Sequence, residues 1–128
     1  MIAMKKQQEL ALLREYARLR DIYEQTNTLS VLMGELAEAD RSTPYYTQEI
    51  RDLLDRITPD GQRLKALLEE VEAQLLPQMD AVQDALQLPL EICGLSDLIA
   101  DVYAQEDAPD LATAIRECTA IYGYPHSG

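Results

Sequence analysis

LLEEVEAQLLPQMDAVQDAL (residues 67–86) has the apolar spacing of a helix, a proline in its middle, five acids and no base. Leu68, Val71, Leu75, Met79, Val82 and Leu86 recur every three or four residues, the period of one helix face. The frame passes Pro77 with no change of phase, whereas a loop would normally reset it. The spacing therefore predicts a kinked but continuous helix, at the cost of one backbone hydrogen bond and a steric bend. The alternative is a break, with Pro77 opening a new helix.

Upstream the stripe continues through Leu64, and before it through Tyr46, Ile50, Leu53 or Leu54, and Ile57. TPDG (residues 58–61) interrupts it, and Thr58 as cap with Pro59 at the first helical position reads as a restart. RSTP (residues 41–44) marks the start of this whole segment, with Thr43 as cap and Pro44 at the first helical position. Before it runs another stripe: Leu12, Tyr16, Leu19, Ile22, Thr26, Leu29, Met33 and Leu36. Thr26, within EQTNT, is its weak point.

Downstream, LPLEICGLS (residues 88–96) reads as a loop punctuated by Pro89 and Gly94. Ser96 can cap a short helix carrying Leu98, Ile99, Val102 and Tyr103. Asp107 can cap a last helix with Asp110 in its first turn, where an acid suits the helix dipole. Its stripe is Leu111, Ile115, Cys118 and Ile121 or Tyr122, and Gly123 and Pro125 fit a stop before a frayed tail. No segment alternates long enough to be a strand. The expectation is a single all-α domain over residues 1–128, a long antiparallel helical hairpin with two short C-terminal helices. The long helices cover about 5–40 and 44–87, with kinks or breaks near 58–61 and 77, and the short ones about 96–105 and 108–122.

The chain has 128 residues, seven Tyr and no Phe or Trp, so its core must be aliphatic, with Tyr at rims or interfaces. No apolar run has the length of a signal peptide or of a membrane span. Cys93 and Cys118 match no metal spacing and read as intracellular free thiols, a single disulfide being the alternative. A soluble, cytoplasmic protein is expected.

Charge is segregated. The net charge is −12, and residues 66–115 hold eleven acids and no Lys or Arg. A helix selected only for stability would mix signs, because opposite charges four residues apart support it. The first helix does so with Glu15, Arg18, Arg20, Asp21 and Glu24, but the acidic block does not. It is either a solvated face that aids solubility or a surface that attracts and orients a basic partner. Direct nucleic-acid binding is not expected, since phosphate neutralisation needs a basic patch. An acidic surface can instead imitate nucleic acid towards a protein that binds it.

Catalytic chemistry has little to stand on. The one histidine, His126, lies in the tail, and the five glycines are isolated. Glu69 and Glu72 form E-x-x-E, and Asp97 and Asp101 form D-x-x-x-D, oxygen ligands that suit Mg²⁺. The first pair resembles the metal motif of the all-α nucleoside triphosphate pyrophosphatases, which have E-x-x-E followed by E-x-x-D. The second pair departs from it in residue type and spacing, and no base between 66 and 115 would meet a triphosphate. The first expectation is a non-enzymatic adaptor, chaperone or inhibitor with no cofactor. It would bind a basic protein through a helical surface that includes Glu69, Glu70, Glu72, Asp80, Asp84, Tyr45 and Tyr46. A Mg²⁺-dependent nucleotide hydrolase using Glu69, Glu72, Asp97 and Asp101 is the alternative class, and a structural homo-oligomer is the third. Two long helices and two short ones make a thin core, so a homodimer or a partner's helix would cover the rest.

Overall fold

The computed structural model describes residues 2–105 and 108–122. The fold is all-α. A long hairpin is built from α1 (Ile2–Glu38) and α2 (Gln48–Leu86), and three short helices follow: α3 (Leu90–Cys93), α4 (Ser96–Gln105) and α5 (Leu111–Tyr122). Glu106, Asp107 and the C-terminal Gly123, Tyr124, Pro125 and His126 lie outside the described residues.

Helix α2 is continuous through both prolines. Continuity at Pro77 is as the spacing predicts; the restart at Thr58–Pro59 does not occur. The inward positions explain why. Leu54, Thr58, Gly61, Lys65, Leu68, Glu72, Leu75, Met79, Val82 and Leu86 are buried or half-buried, at unbroken alternating steps of four and three. Pro59 and Pro77 are exposed on the opposite side. The carbonyls that lose their N–H partners there, those of Asp55 and Ala73, face water, which satisfies them. The Thr58 hydroxyl also bonds back to the Leu54 carbonyl at 2.5 Å, a substitute for capping that keeps the helix running.

Three other boundaries and one stripe position differ from the sequence reading. Helix α2 begins at Gln48 rather than Pro44, because Thr47 and not Thr43 caps it, its hydroxyl accepting from the Ile50 N–H at 3.3 Å. Leu90–Cys93, within the expected loop, forms one helical turn on Pro89, whose carbonyl accepts from Ile92 and Cys93. Asp110 caps α5, accepting from the Thr113 N–H at 2.8 Å, which holds its carboxyl below the usual range. On α1 the buried residue near the start of the stripe is Leu13, with Leu12 only half-buried.

The chain divides into two compact units, Met1–Asp21 with Pro77–Gly128, and Ile22–Leu76. The first has a conventional core. Leu13, Leu86, Ile92, Ile99, Ala100, Val102, Tyr103, Ala108, Ala114 and Cys118 pack together, with Leu10, Val82 and Leu111 among those against them. Polar ties fix its loops. Arg20 donates to the Gly94 carbonyl at 2.6 Å, and Lys6 to that of Ala108 at 3.2 Å while lying 4.7 Å from the Tyr103 ring centroid. The buried Tyr103 hydroxyl donates to Glu9 at 3.0 Å. Burial, reinforced by this carboxylate, pushes the phenol pKa up to about 12.

Helix α2 ends on Gln87, a non-glycine residue at φ 56, whose N–H closes on the Gln83 carbonyl at 2.9 Å. This left-handed stop favours glycine. Gln87→Gly should raise stability by about 0.5–1 kcal/mol, the αL penalty relieved less the added chain entropy. Denaturant unfolding checks this; an unchanged or lowered midpoint would mean that the turn is unstrained.

Candidate functional site

In the unit Ile22–Leu76 the seam between the helices mixes small and polar residues with large apolar ones. Helix α1 contributes Tyr23, Thr26, Ser30, Met33 and Ala37, and α2 contributes Leu54, Thr58, Gly61, Lys65, Leu68, Glu72 and Leu75. Thr26 and Ser30 are buried. A Cβ added to Gly61 would lie 3.1 Å from Leu36 Cδ2 and 3.4 Å from Met33 Sδ, and one on Gly34 would lie 3.3 Å from Lys65 Cε. The two glycines leave room for these side chains of the facing helix. The seam also holds Glu72, whose Oε1 is buried with no hydrogen-bond partner.

The large aliphatic residues lie beside this seam, open to solvent. Leu29 is 45% exposed, Leu32 47%, Leu53 46%, Ile57 46%, Leu64 43% and Leu67 51%, with Ile50 and Val71 close to these values. All but Ile50 stand one position before a seam residue: Leu29 before Ser30, Leu32 before Met33, Leu53 before Leu54, Ile57 before Thr58, Leu64 before Lys65, Leu67 before Leu68, Val71 before Glu72. The same rotational offset on two antiparallel helices carries both stripes to one side of the hairpin. On α2 the outer stripe is a heptad seam: Ile50, Ile57, Leu64 and Val71 at one core position, Leu53, Asp60 and Leu67 at the other. Val31 and Leu76, also exposed, lie off it. The expected stripes mixed inner and outer positions. Leu29, Ile50, Ile57, Leu64 and Val71 are not on the buried line.

The residues singled out from sequence do not form one site. Tyr45, 86% exposed, and the half-buried Tyr46 stand in the connection between α1 and α2 rather than on a helix. Glu69, Glu70 and Glu72 lie more than twenty residues along α2, on the order of 30 Å from them at 1.5 Å per residue. Glu69 is exposed and pairs with Lys65 at 3.1 Å, Glu70 is exposed, and Glu72 turns into the seam. In the other unit Asp80, Asp84, Asp97 and Asp101 are all exposed. Among the described residues no three His, Cys, Asp or Glu side chains gather to hold a metal ion, so Glu69, Glu72, Asp97 and Asp101 make no such cluster. Cys93 and Cys118 are buried free thiols. Burial pushes both thiol pKa values up, with Asp97 adding to the effect at Cys118, which disfavours a reactive thiolate.

Two hollows complete the surface. One, about 430 Å³, lies beside Glu24, Gln25, Thr28 and Leu29 at the edge of the outer stripe. The other, about 350 Å³, is lined by Lys5, Lys6, Glu9, Tyr103 and residues 109–112. Its Lys6, Glu9 and Tyr103 are engaged with one another or with Ala108. Among the described residues no helix is long and apolar enough to cross a membrane.

The end of the hairpin is held by Arg41. Its guanidinium donates to Asp55 at 2.9 Å, to the Ala39 carbonyl at 2.8 Å and to the Thr58 hydroxyl at 2.6 Å. Arg41→Ala should destabilise this unit by about 1–2 kcal/mol and speed amide exchange over residues 39–47 and 54–58. Hydrogen exchange read by mass spectrometry checks it. Unaltered protection there would show the three bonds to be dispensable.

No family model matches the chain, and neither the curated proteins nor the solved structures yield a match.

Proposed function

We propose that the protein is a non-enzymatic interaction module that works as a helical docking surface. The observation that carries this reading is the open aliphatic face of residues 22–76. Eight Leu, Ile and Val side chains lie along it, each 38–51% exposed, beside a seam that also holds Gly61, Thr26, Ser30 and Thr58. Monomeric soluble proteins seldom leave so continuous an apolar surface in water, and such a surface marks a site for another protein. Its shape favours helices as the complement, because two parallel ridges with heptad spacing accept helices laid alongside. The exposed acids Glu70, Asp80, Asp84, Glu91, Asp97 and Asp101 act at longer range, attracting a basic partner and orienting its approach.

A photo-reactive residue placed in the native cell at Leu67, on the face, or at Gln62, on the opposite side of α2, tests the proposal. Protein adducts are expected at Leu67 and largely absent at Gln62. Equal labelling at the two positions, or none at Leu67, would remove the face from consideration as a docking surface.

A further inference from the structure

We infer that the occupant of the open face is a second copy of this chain, docked so that α2 runs antiparallel to α2 of the other copy about a point between Leu64 and Leu67. The inference rests on the docking reading above and names its partner.

The heptad pattern fixes the pairing. In an antiparallel seam the two core positions face each other, so Leu64 meets Leu67 of the second copy and Leu67 meets its Leu64. The residues flanking that seam on its outer side are Glu49, Arg56, Arg63 and Glu70. About the chosen centre, Arg63 falls opposite Glu70 of the second copy, and symmetry repeats the pair. Both residues are exposed in the single chain and free to reach across. A parallel, in-register pairing instead sets Asp60 against Asp60 within the core of the seam, a like-charge contact without water. The antiparallel alignment separates these carboxylates and places each beside Val71 of the other copy.

Helix α1 lies on the same face. The proximity of Gly61 to Leu36 and Met33, and of Gly34 to Lys65, sets the register of the hairpin. By that register the level between Leu64 and Leu67 is the level of Leu32 and Met33. A two-fold axis there brings the exposed Leu32 of one copy beside Leu32 of the other. The same axis leaves no open end for further copies.

The surface is also the right size. The eight half-exposed side chains leave on the order of 600 Å² open, and a stable interface buries about 800 Å² per partner, around two thirds of it apolar when the partners are identical. The flanking Arg63 and Glu70 supply the remainder.

Sedimentation equilibrium of the purified full chain across micromolar concentrations tests this, with helicity followed by circular dichroism. The wild type is expected to be a dimer and Leu67→Glu a monomer of undiminished helicity. Arg63→Glu or Glu70→Arg alone should raise the dimer Kd about tenfold, and R63E with E70R should return it to within about threefold, since the reversed pair is again complementary. The two residues are seven apart on one helix and do not meet within a chain, so this rescue reports an intermolecular contact. A purified protein that stays monomeric would overturn the inference. Adducts at Leu67 in cells would then leave the docking reading standing with a different protein on the face. A dimer insensitive to both charge reversals would overturn the antiparallel pairing.

Discussion

The inward positions of α2 keep one unbroken spacing from Leu54 to Leu86, and much else follows from that constraint. A single phase across so many turns leaves only the far side of the helix for residues that cannot join its hydrogen-bond ladder. Both interior prolines are there, where water replaces the missing donors. The spacing also fixes what faces α1 in residues 22–76: Thr58, Gly61, Lys65, Leu68 and Glu72. Gly34 and Gly61 make room for Lys65, Leu36 and Met33 across the seam, while Leu29, Ile57, Leu64 and Leu67 lie one position off it, open to water.

The two units consequently rest on different physics. In the first, aliphatic side chains, Tyr16, Tyr103 and two thiols are fully enclosed, and long side chains from α1 reach the carbonyls of the following loops. Burial of this kind supplies the stability of an ordinary small domain. In residues 22–76 large buried side chains are few, and polar contacts do more of the work, notably those of Arg41. A two-helix unit so poor in buried apolar area gains stability from any partner that binds only its folded form.

The fold class, the hairpin and the passage through Pro77 are all legible in the sequence because each depends on periodicity, which a helix imposes on any chain that forms one. The boundary errors come from competition between neighbouring capping residues: Thr43 and Thr47, or Asp107 and Asp110, are each adequate by type, and the choice is made by the path of the loop. The larger miss is the outer stripe. In α2 apolar residues occupy two adjacent lines, and periodicity alone cannot assign Leu64 to one and Leu68 to the other. Gly34 and Gly61 do not reveal the choice, since Gly34 reads as an isolated glycine and Gly61 as part of the TPDG interruption. The heptad of Ile50, Ile57, Leu64 and Val71 was the available signal, hidden because Leu54, Leu68 and Leu75 interleave with it to give an equally good helical pattern. The acids are legible at once, yet their grouping is not: Glu72 falls on the inward line with Leu68 and Leu75, whereas Glu69 lies about 60° and Glu70 about 160° round the helix from it.

The one-signed charge of residues 67–86 takes on a physical role beside such a face. Leucine and isoleucine ridges adhere to almost any apolar helix, so area alone gives affinity without choice of partner. Selectivity has to come from groups that make wrong arrangements unfavourable. Asp60 within the outer heptad penalises an in-register parallel alignment, and the alternation of Glu49, Arg56, Arg63 and Glu70 at its edge distinguishes one offset from the next. The uncompensated acids further along act without contact. A chain of net charge −12 repels its own kind at distances where apolar contacts are not yet felt, which opposes disordered clustering through the open face. Only an approach that brings opposite charges together, or a partner of opposite sign, overcomes that barrier cheaply. On the proposed docking reading the acidic block and the aliphatic face act together, the first limiting what the second binds.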